Sequence, residues 1–285
     1  MISAAPMRNR DNLHFYAVFP SAQAVFQVAE ESAGKQGRWR VFHDKFVVEE
    51  RYMEPGARKG LYATAIVLAL IGATIFFLTL AGVLQRDGLA SADGEAQRWL
   101  LTTRSEALTV VMIILAIIFG PVGLPIIVLI VTVAWGILAK HAWRPILLAA
   151  AMLTGVGLAQ LIGRTVERDR PPVDQMLFGA DQTFSFPSGH VLGASDFLLV
   201  TTFLVFSRHR NPKAAVVSFI VAIIGVFAAS VSRLYLGYHW VSDAVASVSL
   251  SLVVLGAVIA VDTWRTARVP GEEVTGELSK ADAPD

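Results

Sequence analysis

The stretch FSFPSGHVLGASDFLLVTTFLVF, residues 184–206, decides the reading of this chain. It opens on a polar knot, Pro187-Ser188-Gly189-His190, and then turns almost wholly apolar. A turn explains the glycine, and a helix cap explains the serine. Neither explains a histidine at the mouth of a hydrophobic run.

The apolar run is one of six. The others lie at about 61–84, 108–139, 145–163, 214–232 and 240–262. Crossing a bilayer core as a helix takes about 20 residues. Five runs suit one crossing each. The run 108–139 is longer and is interrupted by Gly120-Pro121-Val122-Gly123-Leu124-Pro125. We read it as one kinked span with an interfacial lead-in; two spans there is the alternative. Composition agrees with a membrane protein. Of the 285 residues, 54% are hydrophobic and 16% charged, against ~25% charged in soluble domains. Mean hydropathy is +0.57. The expected fold is all-α, a six-transmembrane-helix bundle, because backbone polar groups in lipid must be paired within the segment.

A net charge of +1 makes no case for nucleic acid as a partner. The chain has no cysteine, which excludes disulfides, thiolate catalysis and cysteine metal sites. Residues 1–60 lack the apolar core and small-residue cleavage site of a secretory signal. They read as an N-terminal cytoplasmic or interfacial segment, with a short amphipathic helix near Ala22–Ser32. Residues 61–263 form the six-span domain, and 264–285 read as a disordered cytoplasmic tail. The gap 85–107 is expected along the outer interface. Lys and Arg near the span ends favour cytoplasmic termini: Lys45, Arg51, Arg58, Lys59, Lys140, Arg144, Arg208, Arg210, Lys213, Arg265 and Arg268 outnumber the cations of the opposite gaps.

Ionisable groups at membrane depth are costly and usually functional. Here they gather at the same end of four spans, the extracytoplasmic one. Span three runs into Arg164-Thr-Val-Glu-Arg168-Asp-Arg170-Pro171, span four begins at Ser188-Gly189-His190, span five ends at Ser232-Arg233, and span six begins at His239-Trp-Val-Ser-Asp243. Arg170 and Arg233 are permanent cations suited to bidentate grip of an anion. Ser188 and Gly189 open a helix whose free N–H groups suit the same ligand. His239 and Asp243, four apart, share a helix face, so the carboxylate can orient the imidazole. His190 is left to protonate a leaving oxygen. This set suggests phosphoryl transfer through a phosphohistidine, with no metal and no cofactor. By the ordinary reading, His141 and His209 are interfacial histidines and Tyr235 and Tyr238 interfacial aromatics. Asp196 is either a support for the site or a polar contact with a serine inside the bundle.

These residues resemble the type 2 phosphatidic acid phosphatases, related to vanadium haloperoxidases. That family carries Lys-x6-Arg-Pro, Pro-Ser-Gly-His and Ser-Arg-x5-His-x3-Asp. The second is complete at Pro187–His190 and the third at Ser232-Arg233, His239 and Asp243. The first is partial: Arg170-Pro171 is present, but Gly163 holds the lysine position. The resemblance covers about 100 residues, from 160 to 260, together with the six-span layout. It implies His239 as nucleophile, Asp243 as its partner and His190 as general acid. Arg170, Arg233, Ser188 and Gly189 would bind phosphate, with Arg164 or Arg168 in place of the lysine. It also implies an integral membrane phosphatase of a bacterial-type plasma membrane. The substrate would be a lipid phosphate: phosphatidic acid, phosphatidylglycerophosphate or a polyprenyl diphosphate. The alternatives are a lipid phosphotransferase using the same site, and a non-catalytic lipid-binding or transport protein whose first motif has decayed.

Overall fold

In a computed structural model, the apolar runs are helices whose outward faces are mainly apolar. The structure describes Gly37, Arg40, residues 46–47, 49–139, 141–208, 211–274 and 277–278. The chain divides into two units, residues 1–43 and 44–285. The first falls outside the described residues except for Gly37 and Arg40, and so does the helix expected at Ala22–Ser32. The account below concerns the second unit.

Five helices are long and apolar enough to cross a membrane: α1 (Pro55–Gln85), α6 (Trp143–Val166), α7 (Gly189–Phe206), α8 (Pro212–Tyr235) and α9 (Val241–Thr266). Two short helices, α2 (Gly88–Ser91) and α3 (Asp93–Thr102), follow α1. Helices α4 (Glu106–Ile118) and α5 (Gly123–Ala139) meet at 51° and together are long and apolar enough for a sixth, broken span. Pro121 has no N–H to continue the α4 ladder. The helix closes instead with a tight turn, Gly120 N–H to Ile117 O. Pro125 sits in the first turn of α5, where a missing donor is harmless. The kink expected from the sequence is therefore present, with its physical cause.

Helix α9 is the central post. It runs along α1 and also packs against α7 and α6. Its backbone comes so close to α1 that a β-carbon on Gly256 would stand 2.6 Å from Ala65 O. Small residues at such crossings are how helices associate without a hydrophobic gradient. Large apolar side chains such as Ile66, Leu70, Phe77 and Leu78 on α1, and Val217, Val221, Ile224 and Phe227 on α8, point outward and exposed. An apolar surface of this extent is a lipid-facing belt.

At the end of α9 away from the motifs, the chain is tied by charge. Strand β1 (Glu49–Tyr52) pairs in parallel with β2 (Ala267–Arg268) and β3 (Glu277–Leu278). Glu49 accepts two hydrogen bonds from Arg144, at 2.8 and 3.0 Å, and Glu50 accepts one from Arg268 at 2.5 Å. Asp262 accepts from both Nη atoms of Arg208 at 3.0 Å, from Arg51 at 3.4 Å and from Trp143 Nε1 at 2.9 Å. Two expected boundaries move as a result. The helix expected from 61 begins at Pro55, and the tail expected to be disordered from 264 first completes α9 and then pairs as β2. Long-range pairing with β1 orders these polar segments, and local composition does not record it.

Candidate active site

Four helix ends meet at the other end of α9, and each presents its residue for a local reason. Helix α6 stops at Glu167, a non-glycine residue with φ of 50° whose N–H bonds Gly163 O. This left-handed turn sends Arg168 and Arg170 back across the bundle. Helix α7 starts at Ser188, whose Oγ accepts from Val191 N–H, a weak cap at 3.4 Å. Between α8 and α9 the chain turns at Gly237, with φ of 82°. A β-carbon there would stand 2.4 Å from Gln175 O, so the turn that delivers His239 requires glycine.

His239 is buried, with both ring nitrogens engaged. Nδ1 lies 2.8 Å from Ser185 O and 3.5 Å from Asp243 Oδ2. Nε2 lies 3.1 Å from Arg170 Nη1. A carbonyl only accepts and a guanidinium only donates. In the neutral ring the proton is therefore on Nδ1, and Nε2 carries the lone pair. Burial is the largest influence on this imidazole and holds its pKa down to about 4; the hydrogen bond toward Asp243 pulls the other way. The ring is neutral at physiological pH.

Arg170 is held in place from one side: Nε donates to Thr183 O at 2.9 Å, Nη2 to Thr183 Oγ1 at 2.8 Å, and Nη2 pairs with Asp181 at 3.1 Å. Nη1 also reaches Tyr238 O at 2.8 Å. Arg233 differs. It is buried, its guanidinium lies 4.2 Å from the Tyr238 ring centre, and none of its nitrogens has a hydrogen-bond acceptor among the described residues. The N–H groups of Gly189 and His190 likewise lack an acceptor among the described residues, and space beside Gly189 is open. An uncompensated buried cation beside free helix N-terminal amides is an arrangement that an anion completes.

His190 is half-buried and close enough to His239, Arg170 and Arg233 for their charges to act on it. Its Nε2 would stand 3.3 Å from a β-carbon on Gly120, so the break between α4 and α5 borders the site. Asp243 is saturated: Oδ2 accepts from Ser185 Oγ and Trp240 N–H, both at 2.9 Å, and Oδ1 from Arg168 at 2.5 Å. Thus the structure brings His190, His239, Asp243, Arg170, Arg233, Ser188 and Gly189 to one end of the bundle.

The two lysine substitutes do not occupy equivalent places. Arg164 is exposed, whereas Arg168 spans two carboxylates, Asp243 and Asp93. A β-carbon on Gly163 would lie 3.6 Å from Phe186 O, an ordinary contact toward the loop before α7. Tyr235 and Tyr238 are buried rather than interfacial. Tyr235 Oη ties α8 to Ser105 and Thr109, and Tyr238 lies under Arg233. His141 is also buried; His209 lies outside the described residues. Asp196 is buried opposite Gly155, and among the described residues neither its carboxylate oxygens nor Ser251 Oγ has a hydrogen-bond partner, so the structure does not form the expected contact with a serine. Sequence reasoning missed Asp93, Ser185, Asp181 and Thr183, which carry no motif: Asp93 opens α3, and the other three lie in the loop before α7.

A helical membrane protein with two histidines and two arginines gathered at its helix ends is the class defined here. Residues 144–267 match the model of the PAP2 superfamily. The chain is 28% identical over 186 residues to phosphatidylglycerophosphatase B of Bacillus subtilis strain 168, covering 63% of this chain and 87% of that one. It is 37% identical over 90 residues to phosphatidylglycerophosphatase B of Escherichia coli K12, 31% of each chain. A solved structure, a transmembrane PAP2-type phosphatidylglycerolphosphate phosphatase from Bacillus subtilis, superposes with a TM-score of 0.60 at 24% identity. That match covers 67% of this chain and 96% of the other, and it speaks for the fold. The chain is similar to the PAP2 superfamily over residues 144–267, and its fold and site agree with a membrane phosphatase of that type.

Proposed function

We propose that this phosphatase removes the terminal phosphate of phosphatidylglycerophosphate through a phosphohistidine on His239, at the extracytoplasmic face of a plasma membrane. One observation carries the mechanism: His239 Nε2, whose lone pair accepts from Arg170, lies next to a buried Arg233 that has no acceptor among the described residues. The substrate phosphate would bridge Arg170, Arg233 and the N–H groups of Gly189 and His190, with Ser188 capping the same helix. Nε2 attacks phosphorus, the P–O ester bond breaks, and protonated His190 gives its proton to the leaving alkoxide. Water then attacks the phosphohistidine, neutral His190 takes the water proton, and the P–N bond breaks. Nδ1 keeps its proton throughout, held on Ser185 O, while the Asp243 carboxylate offsets charge on the ring. The cations and amides hold charge as it develops on the phosphoryl oxygens.

The substrate choice rests on the names of the two relatives. Phosphatidic acid and polyprenyl diphosphates present the same terminal phosphate, so a panel decides. Purified protein in detergent should show the highest kcat/KM for phosphatidylglycerophosphate, inhibition by vanadate and full activity in EDTA. A higher kcat/KM for another lipid phosphate overturns the substrate.

A further inference from the structure

We propose that Arg168 and Asp93 are positioning residues that hold the Asp243–His239 pair in its reactive orientation, and that Arg168 is not a phosphate ligand. This inference rests on the phosphohistidine reading above. It comes from a closed ring of hydrogen bonds. Arg168 Nη1 donates to Asp243 Oδ1 at 2.5 Å. Asp243 Oδ2 accepts from Ser185 Oγ at 2.9 Å. Ser185 N–H donates to Arg168 O at 2.8 Å. The ring thus passes through Arg168 twice, once by side chain and once by backbone. The two groups that face His239 Nδ1, Ser185 O and Asp243 Oδ2, are both members of it. Moving Arg168 moves both.

Asp93 anchors the ring from outside. It is buried at the start of α3, before the region that matches the family model. Oδ2 accepts from Arg168 Nη2 at 2.7 Å and from Ser242 Oγ at 2.5 Å. Oδ1 accepts from Ser242 N–H at 3.0 Å, which caps α9 one residue before Asp243. Arg168 Nη1 also donates to Ser242 Oγ at 2.7 Å, and its guanidinium lies 5.7 Å from the Trp240 ring centre. One guanidinium therefore sits between two carboxylates. Its charge is more than neutralised, and both Nη atoms are in use. A phosphate would have to displace a carboxylate to reach it. Arg233, by contrast, has no acceptor to give up among the described residues.

The variants Arg168→Gln, Arg168→Lys, Asp93→Asn and the double Asp93→Asn/Arg168→Gln separate the two roles when assayed as full chains. Positioning predicts that Arg168→Gln lowers kcat about 100-fold and Asp93→Asn about 10-fold, with KM and vanadate inhibition within about 2-fold of wild type. Arg168→Lys, which reaches one carboxylate but cannot bridge both, should recover part of the loss. The double variant should be no slower than Arg168→Gln, because both changes break one network. The acidic limb of kcat/KM should move to higher pH in Arg168→Gln. With the guanidinium gone, the Asp243 charge acts on His239 without that neighbouring cation; burial, the largest influence on the ring, and Arg170, Arg233, Asp181 and His190, which also face it, are unchanged.

Vanadate inhibition weakened more than 10-fold in Arg168→Gln would make Arg168 a phosphate ligand and overturn the proposal. Wild-type kcat in both Asp93→Asn and Arg168→Gln would overturn it as well, and so would additive losses in the double variant. Asn at 93 keeps an acceptor for Ser242 N–H, so Asp93→Asn and Arg168→Lys carry the test if Arg168→Gln does not fold. A parallel His239→Ala arm keeps the two readings apart. Residual wild-type turnover there sinks the phosphohistidine itself, whereas a dead His239→Ala beside unaffected Arg168 variants sinks only the positioning role.

Discussion

The two ends of α9 hold similar residues in opposite electrostatic states. At the Thr266 end, Arg144, Arg268, Arg208 and Arg51 each meet a carboxylate: Glu49, Glu50 and, for the last two, Asp262. At the Val241 end, Asp243 and Asp93 are matched by Arg168, but Arg233 is left without an acceptor among the described residues. Burial is similar at the two ends; partnership is not. A buried charge already paired contributes to the fold, and one left open is kept for a ligand. That difference distinguishes a fastening from a site in a molecule whose cations are spread over both membrane faces.

The largest expected effect breaks the site end outright. His239→Ala should lower turnover by about 1,000-fold or more, as loss of a covalent nucleophile does, while the purified protein keeps its thermal transition. Arg233→Ala should follow, with about 100-fold lower kcat/KM from loss of a charge-stabilising donor and vanadate inhibition lost in parallel. The mirror change at the other end, Arg208→Ala, should behave in reverse. Breaking a buried pair costs about 3–5 kcal/mol, so its melting temperature should fall while kcat/KM per folded molecule stays within about 2-fold of wild type.

A pH profile gives a subtler contrast. In the proposed mechanism the nucleophile must be neutral, and burial places the His239 pKa near 4. As pH falls from 8 to 5 the unprotonated fraction stays close to one, so His239 contributes no acidic limb in that range. The limb should appear near pH 4 in kcat/KM. An unperturbed imidazole would place it near 6.5. The smallest effect belongs to Gly163→Lys. The position faces the loop before α7 and has room for a β-carbon. An added ammonium there should tighten vanadate inhibition a few-fold, and looser inhibition would show that the lysine position no longer addresses the phosphate.

How much of this was legible beforehand depended on whether the signal was local. The six apolar runs and the kink at Pro121 follow from hydropathy and from a missing N–H, which act over neighbouring residues. The convergence of His190, Arg233, His239 and Asp243 was readable because each lies at the terminus of a span, and alternating spans bring those termini to one face. Asp93 was not readable, since its partners Arg168 and Ser242 are 75 and 149 residues away and nothing around it marks it as special. Arg168 looked like a spare cation for the same reason: its sequence neighbours do not reveal the two carboxylates that hold it. Tyr235 and Tyr238 looked interfacial because aromatic residues at span ends usually are. Here the turn at Gly237 folds them inward instead.

The most direct test of the account is rapid acid-free quenching of purified protein during turnover of phosphatidylglycerophosphate labelled with 32P in its terminal phosphate. The account predicts label on the protein that is stable to base and labile to acid, maps to His239 and is absent in His239→Ala. Steady turnover in wild type with no protein-bound label, or with label on another residue, would contradict it.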